Sequence, residues 1–367
     1  MQRRKFIKAA GTALGASALG FPFIRVSRAQ QLNVDRSQLT KTLRFSSYGG
    51  SWQTALTDAA IKPFEAKYGV QVIQESHGSE AALIAKMKAS GPGSYDVVTV
   101  NESGLYLGVK QGVFEELRLA NIPNYANVVK VLQKPAYDPG PGIHSVPDVY
   151  GSSAIVYNTA HVSPKPTGYE VLWDPKYKGR ICVRDAAIYR VFITALYLKQ
   201  NPNQISDIDK VYAALKAQRP LVLKYWGGTS EMQTLVANQE VWAGDFVGGR
   251  TLLLKEQGVP VDYPIPEAGA RGFVDCVCLG VGSPNRYTAE VFLNYLLDPE
   301  VATKLAELTK YPSCLDPAKA PTSAMVKTFP EYDPSGSLSR FIFTDYDYME
   351  KNRQAWEAEW TKIKLGS

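Results

Sequence analysis

Asp275 stands in the run Gly272-Phe273-Val274-Asp275-Cys276-Val277-Cys278, a carboxylate inside an otherwise apolar segment. A carboxylate buried in such a segment has to be paired or hydrogen-bonded. Two kinds of partner fit: a cation taken from outside, or a charge or helix end of the protein itself. Asp185 and Glu102 pose the same question, because each follows an apolar run and precedes a helical pattern. Each is either a second contact for an ammonium group or an acid favoured at the start of a helix. Tyr48, Trp52, Tyr150, Trp226, Phe273 and Tyr311 have the chemistry of an aromatic box around an alkyl chain or a cation. Trp52 also fits the buried stripe of its own helix, so core packing is expected of it. Tyr48 precedes Gly49-Gly50 at a strand end and is the stronger candidate.

No catalytic constellation accompanies these residues. The Gly49-Gly50 and Gly248-Gly249 pairs lack the spacing of phosphate loops, and no nucleophile elbow, zinc-helix or kinase signature is present. His77, His144 and His161 are scattered, which leaves little material for a triad or a zinc site. Cys182, Cys276, Cys278 and Cys314 are too few for a disulfide scaffold and read as small core residues, with a bridge from Cys182 or Cys314 left open. No enzymatic activity, cofactor or metal is therefore expected.

The elements that would position these groups follow a βα rhythm. Residues 42–47 read as a strand, Ser51 as the cap of a helix carrying Trp52, Leu56, Ala59, Ala60 and Phe64, and Gly69 as its end. Residues 70–74 form the next strand, and Ser79 caps the next helix. Residues 95–100 form an apolar strand of the kind buried on both faces of a parallel sheet, leading into Asn101-Glu102-Ser103. Ligands of such sheets sit beyond the carboxyl ends of strands, which points to residues 46–52 and 101–103. Residues 144–158 read as extended, a second βα series starts near Trp173, and residues 273–281 are extended again. Asp298-Pro299 starts a helix, and Trp356, Trp360 and Ile363 share one face of a last helix.

The amino terminus carries an address. Arg3-Arg4-Lys5-Phe6-Ile7-Lys8 is a twin-arginine run, followed by a short Gly- and Ala-rich apolar stretch and by Ser27-Arg28-Ala29. That order is a secretory signal, with an apolar run too short for a good membrane span. Its form matches the twin-arginine export route, so the mature protein is expected in the periplasm. The chain has 41 Lys+Arg and 35 Asp+Glu. Arg3, Arg4, Lys5, Lys8, Arg25 and Arg28 fall within residues 1–29, which contain no acid, and their removal leaves 35 of each sign. No basic footprint for nucleic acid remains. About 340 mature residues correspond to about two domains.

With two α/β units, an extended crossing near residues 147–158 and a return near Asp275, a further run becomes recognisable. Phe292-Leu293-Asn294-Tyr295-Leu296-Leu297-Asp298-Pro299-Glu300-Val301-Ala302 leads to Tyr311-Pro312. Together these features resemble the periplasmic solute-binding proteins of ABC importers, in particular their spermidine/putrescine-binding branch. The resemblance implies a type II binding-protein fold, two doubly wound α/β lobes joined by a hinge, with the ligand cleft between them. It implies lobe 1 from residues 30–150 and 273–319, and lobe 2 from residues 151–272 and 320–367. It implies two partners, a small solute and a membrane permease, and the chain is expected to be a monomer.

By position, the resemblance assigns ligand contacts to Asn101, Glu102, Ser103, Asp185, Val247, Phe273, Asp275 and Tyr311, and Tyr48 joins them from its place at a strand end. Asp275 matches an aspartate that pairs with a substrate ammonium, Phe273 an aromatic two residues earlier, and Tyr311 the tyrosine of a Tyr-Pro turn. Two positions depart from the branch. Ile188 replaces a carboxylate and Val247 a tryptophan, which argues against a long polyamine and for a solute with one cationic end. Receptors for iron, thiamine, phosphonate or opines share the architecture. An exported redox enzyme is the competing class, and it would require clusters of Cys or His that the chain lacks.

Overall fold

The computed structural model describes residues 32–366, so the twin-arginine segment expected over residues 1–29 lies outside the described residues. Short apolar strands alternating with helices build the first half. β1 (Thr42–Tyr48) passes through Gly50 into α1 (Ser51–Leu56), which a π-helical turn at Thr57–Ile61 joins to α2 (Lys62–Tyr68). Gly69 ends α2 at φ 71°, a left-handed conformation that its missing Cβ permits. β2 (Gln71–His77), α3 (Glu80–Ser90), β3 (Val97–Asn101) and α4 (Glu102–Lys110) repeat the unit.

β4 (Ser145–Asn158) then crosses into the second half. There follow β5 (Ile181–Arg184), α5 (Ala187–Tyr197), α6 (Ile208–Gln218), β6 (Val222–Trp226) and α7 (Thr229–Ala237). β7 (Ala243–Val247), α8 (Gly248–Glu256) and β8 (Val261–Asp262) complete that half. β9 (Ala270–Leu279) returns the chain to the first half, where α9 (Arg286–Leu296) and α10 (Pro299–Thr309) pack. β10 (Phe341–Ile342) and α11 (Tyr346–Leu365) come last.

The expected two-lobe α/β arrangement is present, with one sheet running through both lobes in the order β2-β1-β3-β9-β4-β7-β5-β6. β1 is parallel to β2 and β3, and β5 is parallel to β6 and β7. β9 is antiparallel to both β3 and β4, so the two crossing strands form the ladder between the lobes. Within it Tyr150 faces Val274, Gly151 faces Phe273 and Ser153 faces Arg271. The ladder is irregular between Pro147 and Val149, where proline has no N–H to donate.

One core gathers Leu43, Phe45, Phe64, Val98, Val277 and Phe292, and another gathers Ile181, Val191, Phe192, Trp356 and Trp360. The last segment divides between them. Ala320, Leu338, Phe341 and Tyr346 join the first core, while Met349, Trp356, Trp360 and Ile363 join the second. The four α11 residues lie at seven-, four- and three-residue steps, which puts one apolar stripe on lobe 2. All four cysteines are free and buried, so no bridge forms from Cys182 or Cys314.

The segment before β10 also straps the crossing. Buried Glu331 accepts from both the backbone N and the Oγ of Ser152, each at 2.6 Å. Burial pushes its carboxyl up to about 8, against the pull of those two hydrogen bonds. An acid raised above its unfolded value of 4.5 favours the folded state below that pH, and the benefit disappears as pH rises through about 8. Glu331→Gln keeps an acceptor for Ser152 and removes the titration. Its melting temperature should decline less between pH 5 and pH 9 than that of wild type, and parallel declines would refute the assignment.

Candidate functional site

The carboxyl ends of β1 and β3 meet the middle of β9 at one point, where Asn101 and Asp275 are register partners. The hydroxyl of Tyr48 lies 3.0 Å from Glu80 Oε1 and 3.4 Å from Asp275 Oδ1. Glu80 also accepts from the backbone N of Asn101 at 3.4 Å. Asp275 is buried, and its carboxyl is held well above the usual range, first by burial and then by the charges of Asp148, Glu102 and Glu80. Burial likewise raises Glu80. Burial, followed by the same two acids, holds the Tyr48 phenol well above its ordinary value, so it remains a hydrogen-bond donor. Neither Glu80 nor Asp275 makes an ion pair among the described residues. Glu80 escaped the sequence reading because an acid in the first turn of a Ser79-capped helix has an ordinary explanation.

Among the described residues, the rings of the six candidate aromatics meet one another in two pairs, Tyr48 with Trp52 and Phe273 with Tyr311. Tyr48 packs on Trp52 at 5.8 Å and on His77 at 5.3 Å, with Trp52 itself buried in the first core. Phe273 meets Tyr311 edge-on at 5.4 Å. This second pair lies against glycines, since a Cβ on Gly151 would come within 2.5 Å of Phe273, and one on Gly249 within 2.6 Å of Tyr311. Tyr150 instead accepts from the backbone of Asp333, and Trp226 donates to Asp245. Val247 ends β7, half-buried against the core around Trp226 and Phe246.

Several expected contacts are committed within the chain. Asn101 caps α4, its Oδ1 accepting from Ser103 N at 2.9 Å and Gly104 N at 3.1 Å. Glu102, the expected ammonium contact, is fully buried and paired with Arg271 at 2.9 Å, and it also accepts from Tyr346 OH and Val274 N. Asp185 neither caps α5 nor approaches Asp275. Its carboxylate accepts from Lys364 at 2.7 Å and from Trp360 Nε1 at 2.9 Å, while Ala186 holds the cap position. α11 brings both partners, and nothing local to Asp185 announces them. Ser51 does not cap α1 either; Gly50 holds that position, and Arg250 of lobe 2 reaches across to Ser51 Oγ at 2.5 Å. Ser103 lines a cavity of about 500 Å³ between the lobes together with Asp185, Ile188, Tyr189, Arg271 and Lys364. No group of His, Cys, Asp and Glu suited to a metal ion occurs among the described residues.

The chain as a whole has counterparts among known proteins. The profile of the bacterial extracellular solute-binding proteins matches residues 59–334. The chain belongs to that family. It is 25% identical over 269 residues to the spermidine/putrescine-binding periplasmic protein of Escherichia coli, covering 72% of this chain and 76% of that one. It is 24% identical over 339 residues to the putrescine-binding periplasmic protein SpuD of Pseudomonas aeruginosa, covering 86% and 91%. The crystal structure of the spermidine/putrescine ABC transporter substrate-binding protein PotD from Streptococcus pneumoniae superposes with a TM-score of 0.77 at 21% identity, over 89% of this chain and 99% of that one. As a member of that family, the chain binds a solute. No helix among the described residues is long and apolar enough to cross a membrane.

Proposed function

We propose that this solute-binding protein works in the periplasm as a monomer, after export by the twin-arginine route, and that its solute carries an ammonium or guanidinium group. The observation behind the ligand is the pair Glu80 and Asp275, two carboxyls joined through Tyr48 with no ion-pair partner among the described residues. Such a pair is disfavoured in its ionised form until a positive charge enters. The polyamine names of the relatives agree with this reading. Ile188 and Val247, and the engagement of Asp185 by Lys364, leave the far end of the cleft without a second free carboxylate. The solute is therefore one with a single cationic end.

Two measurements test these points. Because Glu80 and Asp275 are raised in the free protein, binding of a cation lowers both and releases protons. Affinity should rise with pH, and calorimetry in two buffers of unlike ionisation enthalpy should detect the released protons. Binding without proton release, or tighter at low pH, refutes the cation site. For the address, Arg3→Lys with Arg4→Lys should stop export, because the two side chains are not interchangeable. Processed protein accumulating in the periplasm would exclude the twin-arginine route.

A further inference from the structure

We infer that the lobe 2 wall of the cleft binds a carboxylate of the solute, so that the solute is a zwitterion of the amino-acid kind. The inference rests on the cation reading above for the other end of the molecule. The two walls differ in electrostatic sign. On lobe 1, α3 and α4 begin with side-chain caps from Ser79 and Asn101, beside the acids Glu80 and Asp275. On lobe 2, α5 begins at Ala186, which supplies no side-chain cap, whereas Glu231 accepts at the start of α7 and Glu331 lies against Gly248 at the start of α8. Uncapped N–H groups at a helix start attract anions.

Arg271 supplies the independent observation. It is 3% exposed and lines the 500 Å³ cavity together with Ala186, Ala187 and Ile188 from the start of α5. Its Nη2 serves Glu102, while its Nε and Nη1 have no partner among the described residues. Buried donors left open in this way call for an acceptor. Arg184 adds a second guanidinium behind the lining, in contact with the cavity residue Tyr189. It pairs with no carboxylate among the described residues and stacks on Tyr189 at 4.0 Å and on Trp226 at 5.0 Å. Arg271 stacks on the same Tyr189 at 4.3 Å. The two acids that line this cavity are engaged, Asp185 by Lys364 and Glu357 by Arg353. What is left uncommitted is positive, and planar guanidinium donors suit a carboxylate. A neighbouring cavity of about 540 Å³ contains Glu80 and shares Ser103, Tyr346 and Arg353 with the first, which links the acidic end to the basic one.

The test uses ligands that differ only in the carboxylate: ornithine against putrescine, and lysine against cadaverine, titrated calorimetrically into the folded protein. The amino acid of at least one pair should bind tenfold or more tightly than its diamine. Arg184→Gln should reduce that preference to about twofold and leave the diamine affinity unchanged. The double variant Glu102→Gln with Arg271→Gln, which strands no buried charge, should reduce the preference likewise. Thermal melts establish that each variant is folded. Diamines binding as tightly as the amino acids, or a preference that survives both variants, overturns the carboxylate wall and leaves the cation reading intact. Glutarate binding that Arg184→Gln abolishes, with no member of either pair bound, supports the carboxylate wall and overturns the cation reading.

Discussion

Asp275→Asn should weaken binding of a cationic solute by about a hundredfold or more while leaving the protein at least as stable as wild type. Breaking a buried charge pair costs about 3–5 kcal/mol, and even about 3 kcal/mol corresponds to roughly a hundredfold in dissociation constant. Asparagine keeps the shape and an oxygen for Tyr48, which now lies 3.4 Å from Asp275. It removes the charge that burial and three neighbouring acids disfavour in the free protein. Function and stability should thus move apart, as expected where a site holds an unfavourable group for its ligand. Glu80→Gln should act in the same direction, because Glu80 shares the Tyr48 hydroxyl. Calorimetric titration paired with denaturant unfolding checks both variants. Unchanged affinity in Asp275→Asn would remove the cation site from this cluster.

Arg271→Met should lower stability by about 3–5 kcal/mol, the range for removing one partner of a buried ion pair. Glu102 would then lie fully buried with only Tyr346 OH and Val274 N to satisfy it. Adding Glu102→Gln removes the stranded charge and should restore more than half of the loss. The pair joins the start of α4 to the crossing strand β9, so it fixes the lobe 1 wall against the interlobe ladder. A double-mutant cycle in denaturant measures the coupling. A single variant as stable as wild type would mean that water satisfies Glu102 and that the pair holds nothing together.

Much of the scaffold was legible in the chain. The strand and helix periods, the caps Ser79 and Asp298, the glycine stop at Gly69 and the apolar face of the last helix are local features. They depend on steric preferences within a few residues, so a single segment carries them. Asp275 as a carboxylate in an apolar strand was legible for the same reason. Its acidic partner Glu80 was not, because the contact spans Tyr48, Glu80 and Asp275 on three separate elements.

The sequence by itself determined the balance of charges after residue 29, the alternation of strands and helices, and the presence of an acid that requires a partner. Only the tertiary structure decided which acids are free to meet a solute. Asp185 and Glu102 look alike to Asp275 along the chain, yet α11 delivers Lys364 to the first and β9 delivers Arg271 to the second. The physical reason is that a charge at close range is governed by its nearest opposite charge. For buried groups that neighbour comes from distant sequence. The same rule leaves Arg184 without a carboxylate partner and two donors of Arg271 without an acceptor among the described residues.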